Sequence, residues 1–118
     1  MTKRILVVED QEDNRRIIRD LLTSAGYAMI EALDGEAGVR LAESERPDLI
    51  LMDIQLPVLD GHEATRQIKQ NPELRHIPII VVTSYALSGD EQKAIAAGSD
   101  DYVAKPFSPR QLLATIRK

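Results

Sequence analysis

Apolar residues along the chain fall into two alternating rhythms. Ile5-Leu6-Val7-Val8 is a short continuous run rich in β-branched residues, and it stops at Glu9-Asp10. The next stretch places Ile17, Ile18, Leu21, Leu22 and Ala25 at helix spacing, with Gly26 as the terminating glycine. Tyr27 to Leu33 reads as a second strand. Asp34 to Glu45 reads as a second helix with Ala37, Leu41 and Ala42 inward, broken by Pro47. Leu49-Ile50-Leu51-Met52 is a third apolar run. Asp60-Gly61-His62-Glu63 has capping-box spacing and opens a third helix that buries Ala64 and Ile68. Pro78 to Val82 is the fourth strand. Ser88 with Glu91 opens a short Ala-rich helix that ends at Gly98. Asp101-Tyr102-Val103-Ala104 is a brief fifth strand. Ser108-Pro109-Arg110-Gln111 combines a cap with a proline at the first helical position, and the last helix carries Leu112, Leu113 and Ile116.

Strands that read as unbroken apolar runs are buried on both faces, which is the mark of a parallel sheet between helical layers. Five strands alternating with five helices therefore predict an α/β, doubly wound, three-layer fold. The flavodoxin-like strand order 2-1-3-4-5 suits a chain of 118 residues, read as one domain over residues 1–118. In that order the switch point lies between strands one and three, and ligands bind beyond the carboxyl ends of the strands there.

Composition narrows the function. Hydrophobic residues make up 43% and charged residues 29%, enough for one core and a soluble surface. The formal charge of −4 argues against a direct nucleic-acid binder, which would show a basic face. The absence of cysteine excludes disulfides and thiolate metal sites, and fits a cytoplasmic setting. No apolar run is long enough for a signal peptide or for membrane insertion.

The polar residues at the predicted strand ends then come together. Glu9 and Asp10 follow strand one, Asp53 ends strand three, Thr83 and Ser84 end strand four, and Lys105 follows strand five. Adjacent strands are roughly 5 Å apart, so three carboxylates meet at one sheet edge. Like charges that close repel, and a divalent cation with oxygen ligands relieves the conflict; Mg²⁺ completed by water suits so few protein ligands. A carboxylate beside Mg²⁺, a hydroxyl and a lysine is equipped to accept a phosphoryl group and become an acyl phosphate. Plainer roles exist for each residue. Glu9, Asp10 or Asp13 would serve as helix caps, Asp53 as a solvated strand end, Thr83 as a backbone partner and Tyr102 as a static aromatic. His62 and His76 read as surface residues, Arg15-Arg16-Arg19 as a solvated helix face, and Asn14 either as lining the site mouth or as facing solvent.

The stretches Ile5 to Asp10, Leu51 to Gly61, Val82-Thr83-Ser84 and Lys105-Pro106-Phe107 together resemble the receiver domain of two-component response regulators, the CheY-like family. Within it the chain is most similar to DivK-type single-domain receivers. The resemblance implies Asp53 as phospho-acceptor. It implies Mg²⁺ held by Asp10, Asp53 and the Gln55 backbone carbonyl, with Glu9 acting through water. Thr83 would be the switch hydroxyl, Lys105 the phosphate partner, and Tyr102 the aromatic that reports phosphorylation. It also implies a cis Lys105-Pro106 bond and a dephosphorylation rate tuned at Gln55 and Tyr85. Glu9 stands where Asp is more frequent.

The implied function is a signalling switch rather than a turnover enzyme, one that assists its own Mg²⁺-dependent phosphorylation and dephosphorylation. Its donor would be a sensor histidine kinase or histidine phosphotransfer protein. A downstream protein would read the surface of the fourth helix, fifth strand and fifth helix, and the chain would be a monomer or weak dimer without an output domain. Two other classes are set against this. An aspartyl phosphatase usually needs a second acid two residues after the nucleophile, where this chain has Gln55. A degenerate receiver that only binds partners would lack some of these side chains.

Overall fold

The computed structural model describes residues 2–83, 90–104 and 108–117, with Thr83 known through its backbone. Strands are β1 (Arg4–Val8), β2 (Ala28–Ala32), β3 (Leu49–Asp53), β4 (Ile79–Thr83) and β5 (Asp101–Ala104). Helices are α1 (Glu12–Ser24), α2 (Gly35–Glu45), α3 (Gly61–Gln70), α4 (Asp90–Ala97) and α5 (Pro109–Ile116). All pairings are parallel and the order is β2-β1-β3-β4-β5, as the apolar rhythm predicts.

Strand alternation divides the core in two. Leu6, Val8, Ile50, Met52, Ile79 and Val81 pack with Ala42 of α2 and with Ala64 and Ile68 of α3. Ile5, Val7, Leu51, Ile80 and Val103 pack with Ile18 and Leu22 of α1 and Leu112 of α5. The two helical layers therefore rest on side chains of opposite parity. Each fully buried aliphatic contributes about 1.5–3 kcal/mol, and the central strands supply most of them.

The helix ends follow the residues that punctuate them. Asp34 accepts from the Ala37 amide at 2.7 Å, Asp60 from Glu63 at 2.9 Å and Ser108 from Gln111 at 3.0 Å. Gly26 adopts φ 89° just past the last residue of α1, the left-handed stop that glycine tolerates best. The Ser88 cap lies outside the described residues.

Three details depart from expectation. Ile17 is 56% exposed, so only Ile18 and Leu22 of that set are fully buried in α1. β2 ends at Ala32, leaving Leu33 54% exposed. Leu74 and Ile77, in the connection after α3, are each 1% exposed and belong to the core. Their turn-rich neighbourhood hides them from any periodicity.

Candidate functional site

Register builds the site. Val8 pairs with Met52, so the next residues, Glu9 and Asp53, face each other across the β1–β3 edge. Asp53 pairs with Val82, which brings the backbone of Thr83 to the same edge one residue later. Alternation directs Asp53 to the side of Leu51, under α1. One carboxylate oxygen from each of Glu9, Asp10 and Asp53 lies within 4.8 Å of the other two.

Burial sharpens the chemistry. Glu9 is 2% exposed and Asp53 6%, whereas Asp10 is exposed. Charged carboxylates are seldom so buried unless paired or bound to a cation. The donor set is all oxygen, hard and anionic, which fits Mg²⁺ and offers nothing to a soft metal. α1 is capped at Gln11 rather than at Glu9 or Asp10, and no side-chain cap bond is made there. The two acids are thus not helix caps, and the plainer reading of them fails.

The loop that presents Asp53 is held closely. The Gly61 amide donates to the Ile54 carbonyl at 2.9 Å, and Leu56 donates to the same carbonyl at 3.1 Å. A Cβ on Gly61 would stand 2.0 Å from the Asp53 carbonyl oxygen, so only glycine lets α3 start this near the strand end. Gly35 repeats the device on the other side, where a Cβ would meet the Leu59 carbonyl oxygen at 1.8 Å. Between them Val58 is held at φ 71°, a left-handed conformation rare for a β-branched residue.

The remaining expected residues are placed unevenly. Gln55 is exposed in the loop after Asp53. Tyr102 is half-buried and packs against the core that contains Val81, with its hydroxyl oxygen shielded from solvent. Lys105 and the Lys105-Pro106 bond, with Ser84 and Tyr85, lie outside the described residues. His62 is corrected from a surface residue to a half-buried one, with both ring nitrogens shielded from solvent. His76 is exposed as expected. Arg15 is not solvated, since its side chain is 13% exposed and pairs with Glu31 on β2; Arg19 also pairs with Glu31 but stays 41% exposed, and Arg16 is outward, 3.7 Å from Asp13, so the solvated-face reading holds for those two. Asn14 donates to Glu9 Oε1 at 3.1 Å and so belongs to the site.

The model of the response regulator receiver domain matches residues 5–117. The chain belongs to the response-regulator receiver family. It is 44% identical over 117 residues to the polar-differentiation response regulator DivK of Brucella ovis, covering 99% of this chain and 95% of that protein. Among solved structures it is similar to the receiver domain of a sensor histidine kinase from Pseudomonas aeruginosa PAO1, at 44% identity and TM-score 0.93, covering 99% of this chain and 96% of that one. That neighbour holds a magnesium ion coordinated in its active-site cleft. A putative response regulator from Chloroflexus aurantiacus superposes with TM-score 0.95 at 27% identity, covering 99% and 96%. The receiver is thus a two-component signalling domain, and none of its described helices is long and apolar enough to cross a membrane.

Proposed function

We propose that this receiver accepts a phosphoryl group on Asp53 and changes its partner-binding surface in response. The observation that carries the proposal is the position of Asp53, 6% exposed at the strand end and within 4.8 Å of the carboxylates of Glu9 and Asp10. An Asp53 carboxylate oxygen attacks phosphorus, and the bond from phosphorus to the donor's imidazole nitrogen breaks. The electron pair leaves with that nitrogen, and Asp53 becomes an acyl phosphate. Bound Mg²⁺ would offset charge on the phosphoryl oxygens, as in other phosphoryl transfers. The residues that would hold it are Asp10 and Asp53 directly, the Gln55 carbonyl, and Glu9 through water. The magnesium in the cleft of the Pseudomonas neighbour supports that choice.

Thr83 and Lys105 would read the modified carboxylate. The Thr83 hydroxyl hydrogen-bonds a phosphoryl oxygen and the Lys105 ammonium pairs with its charge. Movement of the segment after β4 would then be coupled to Tyr102, which is half-buried on β5 and packs against the core beside that strand. The face of α4, β5 and α5 presents the altered surface to a downstream protein, and a partner that prefers it shifts the equilibrium. The donor is a sensor histidine kinase or a histidine phosphotransfer protein, in the cytoplasm. The domain spans residues 1–118 as a monomer or weak dimer, and it assists its own dephosphorylation without turning over a substrate.

The test is phosphotransfer from a labelled histidine phosphotransfer protein. Wild-type protein takes up label in Mg²⁺ and not in excess chelator, and Asp53→Asn takes up none. Label on Asp53→Asn, or transfer that chelator leaves unchanged, overturns the proposal.

A further inference from the structure

The turn from β1 into α1 is restrained at more points than a helix start requires. Described residues hold Glu9 at three of them. Its amide donates to the Ala32 carbonyl at 3.0 Å, its carbonyl accepts from Arg15 Nη1 at 3.0 Å, and its side-chain Oε1 accepts from Asn14 Nδ2 at 3.1 Å. Arg15 is itself anchored, with Nε 3.3 Å from Glu31 Oε1, an oxygen that Arg19 also engages. Glu31 sits on edge strand β2, so a chain of polar contacts runs from the sheet edge to Glu9.

The chemistry of each contact differs. Arg15 carries a full positive charge, but its bonds go to a carbonyl and to Glu31, not to the Glu9 carboxylate. Asn14 is neutral. A neutral amide directs a carboxylate without cancelling its charge, whereas a lysine or arginine there would compete with a cation. Glutamate also has one more side-chain torsion than aspartate, so its carboxylate needs more fixing to stay beside Asp10 and Asp53.

We propose that Asn14 is a positioning residue for Glu9: it holds the glutamate carboxylate in the acidic cluster for Mg²⁺, from a helix that the Arg15–Glu31 pair pins to the sheet. This rests on the metal reading above. Residues that orient a metal's direct ligands typically matter about 10–100-fold in metal affinity, and because Glu9 acts through water Asn14 belongs at the low end of that range.

The experiment is a Mg²⁺ titration of the full chain, followed by backbone amide shifts in NMR, on wild type, Asn14→Ala, Glu9→Gln and the double variant. Asn14→Ala is expected to weaken Mg²⁺ binding about tenfold. In the Glu9→Gln background the same change should add little, since Asn14 acts through Glu9. Unchanged Mg²⁺ affinity in Asn14→Ala, or the same loss with and without Glu9, overturns the positioning role and leaves the metal reading standing. Failure of the wild type to bind Mg²⁺ at millimolar concentration overturns the metal reading and the positioning role with it.

Discussion

Gly61 and Asp53 are in such close contact that a single carbon on Gly61 would stand 2.0 Å from the Asp53 carbonyl oxygen. The start of α3 and the strand end that carries the acceptor are therefore one packed unit. The same Cβ would meet Ile54 Cα at 2.8 Å, so the clash is with backbone on two sides and no side-chain rotation relieves it. Gly61→Ala is expected to cost roughly 2 kcal/mol or more in urea denaturation, because the backbone has to shift to admit it. The shift falls on Asp53, so phosphorylation by acetyl phosphate should slow in the fraction that stays folded. Wild-type stability in the variant would contradict this geometry.

Val58 offers the opposite case. It holds φ 71° and is 76% exposed, so its side chain packs little while its backbone is unfavourable. A left-handed conformation costs an L-residue roughly 1–2 kcal/mol, and glycine gives back about 0.5–1 kcal/mol in unfolded-chain entropy. Val58→Gly should therefore stabilise the domain by about 0.5–1 kcal/mol, read as a raised urea midpoint with unchanged slope. A lowered midpoint would show that Val58 makes a contact that outweighs its backbone cost.

Lys69 closes the connection between α3 and β4. Its ammonium donates to the carbonyls of Arg75 and Ile77 and to Asp100 at 3.1, 2.8 and 2.7 Å. Asp100 also accepts from the Ile79 amide at 2.8 Å. The lysine side chain is only 14% exposed, so this is not an ordinary surface pair. Lys69→Met keeps the aliphatic stem and removes the donors. It should lose about 1–3 kcal/mol, since carbonyls in the turn lose their partner. Lys69→Met and Asp100→Ala should be less than additive in a double-mutant cycle.

Much of this was legible before any coordinates. The β1, β3 and β4 runs are apolar on both faces, which only a covered parallel sheet explains, and the acids directly after the β1 and β3 runs had to meet at its edge. Asp60 and Ser108 cap helices where their spacing says they should, and Asp34, which the pattern puts inside α2, is its cap instead. What escaped depends on contacts across the sequence. Ile17 fits the α1 stripe as well as Ile18 does, and only the angle at which the helix sits on the sheet exposes it. Glu31 looks like any polar residue on an edge strand until Arg15 and Arg19 fold over it. Leu74 and Ile77 lie in a turn with no period. Arg46 ends α2 at φ 48°, a place where glycine would have been the readable signal. Thr65 is fully buried in α3, and its hydroxyl has no hydrogen-bond partner among the described residues, a choice no local pattern announces.

The central claim is that Asp53, among three clustered carboxylates, is the one that carries the phosphoryl group. The most direct measurement treats the protein with acetyl phosphate and Mg²⁺, reduces the acyl phosphate with borohydride, and maps the product by tandem mass spectrometry. Reduction turns a phosphorylated aspartate into homoserine and leaves free carboxylates untouched. Homoserine at position 53, with Asp10 unchanged, is the predicted result; homoserine at Asp10 instead, or at no position after acetyl phosphate has been consumed, would contradict it.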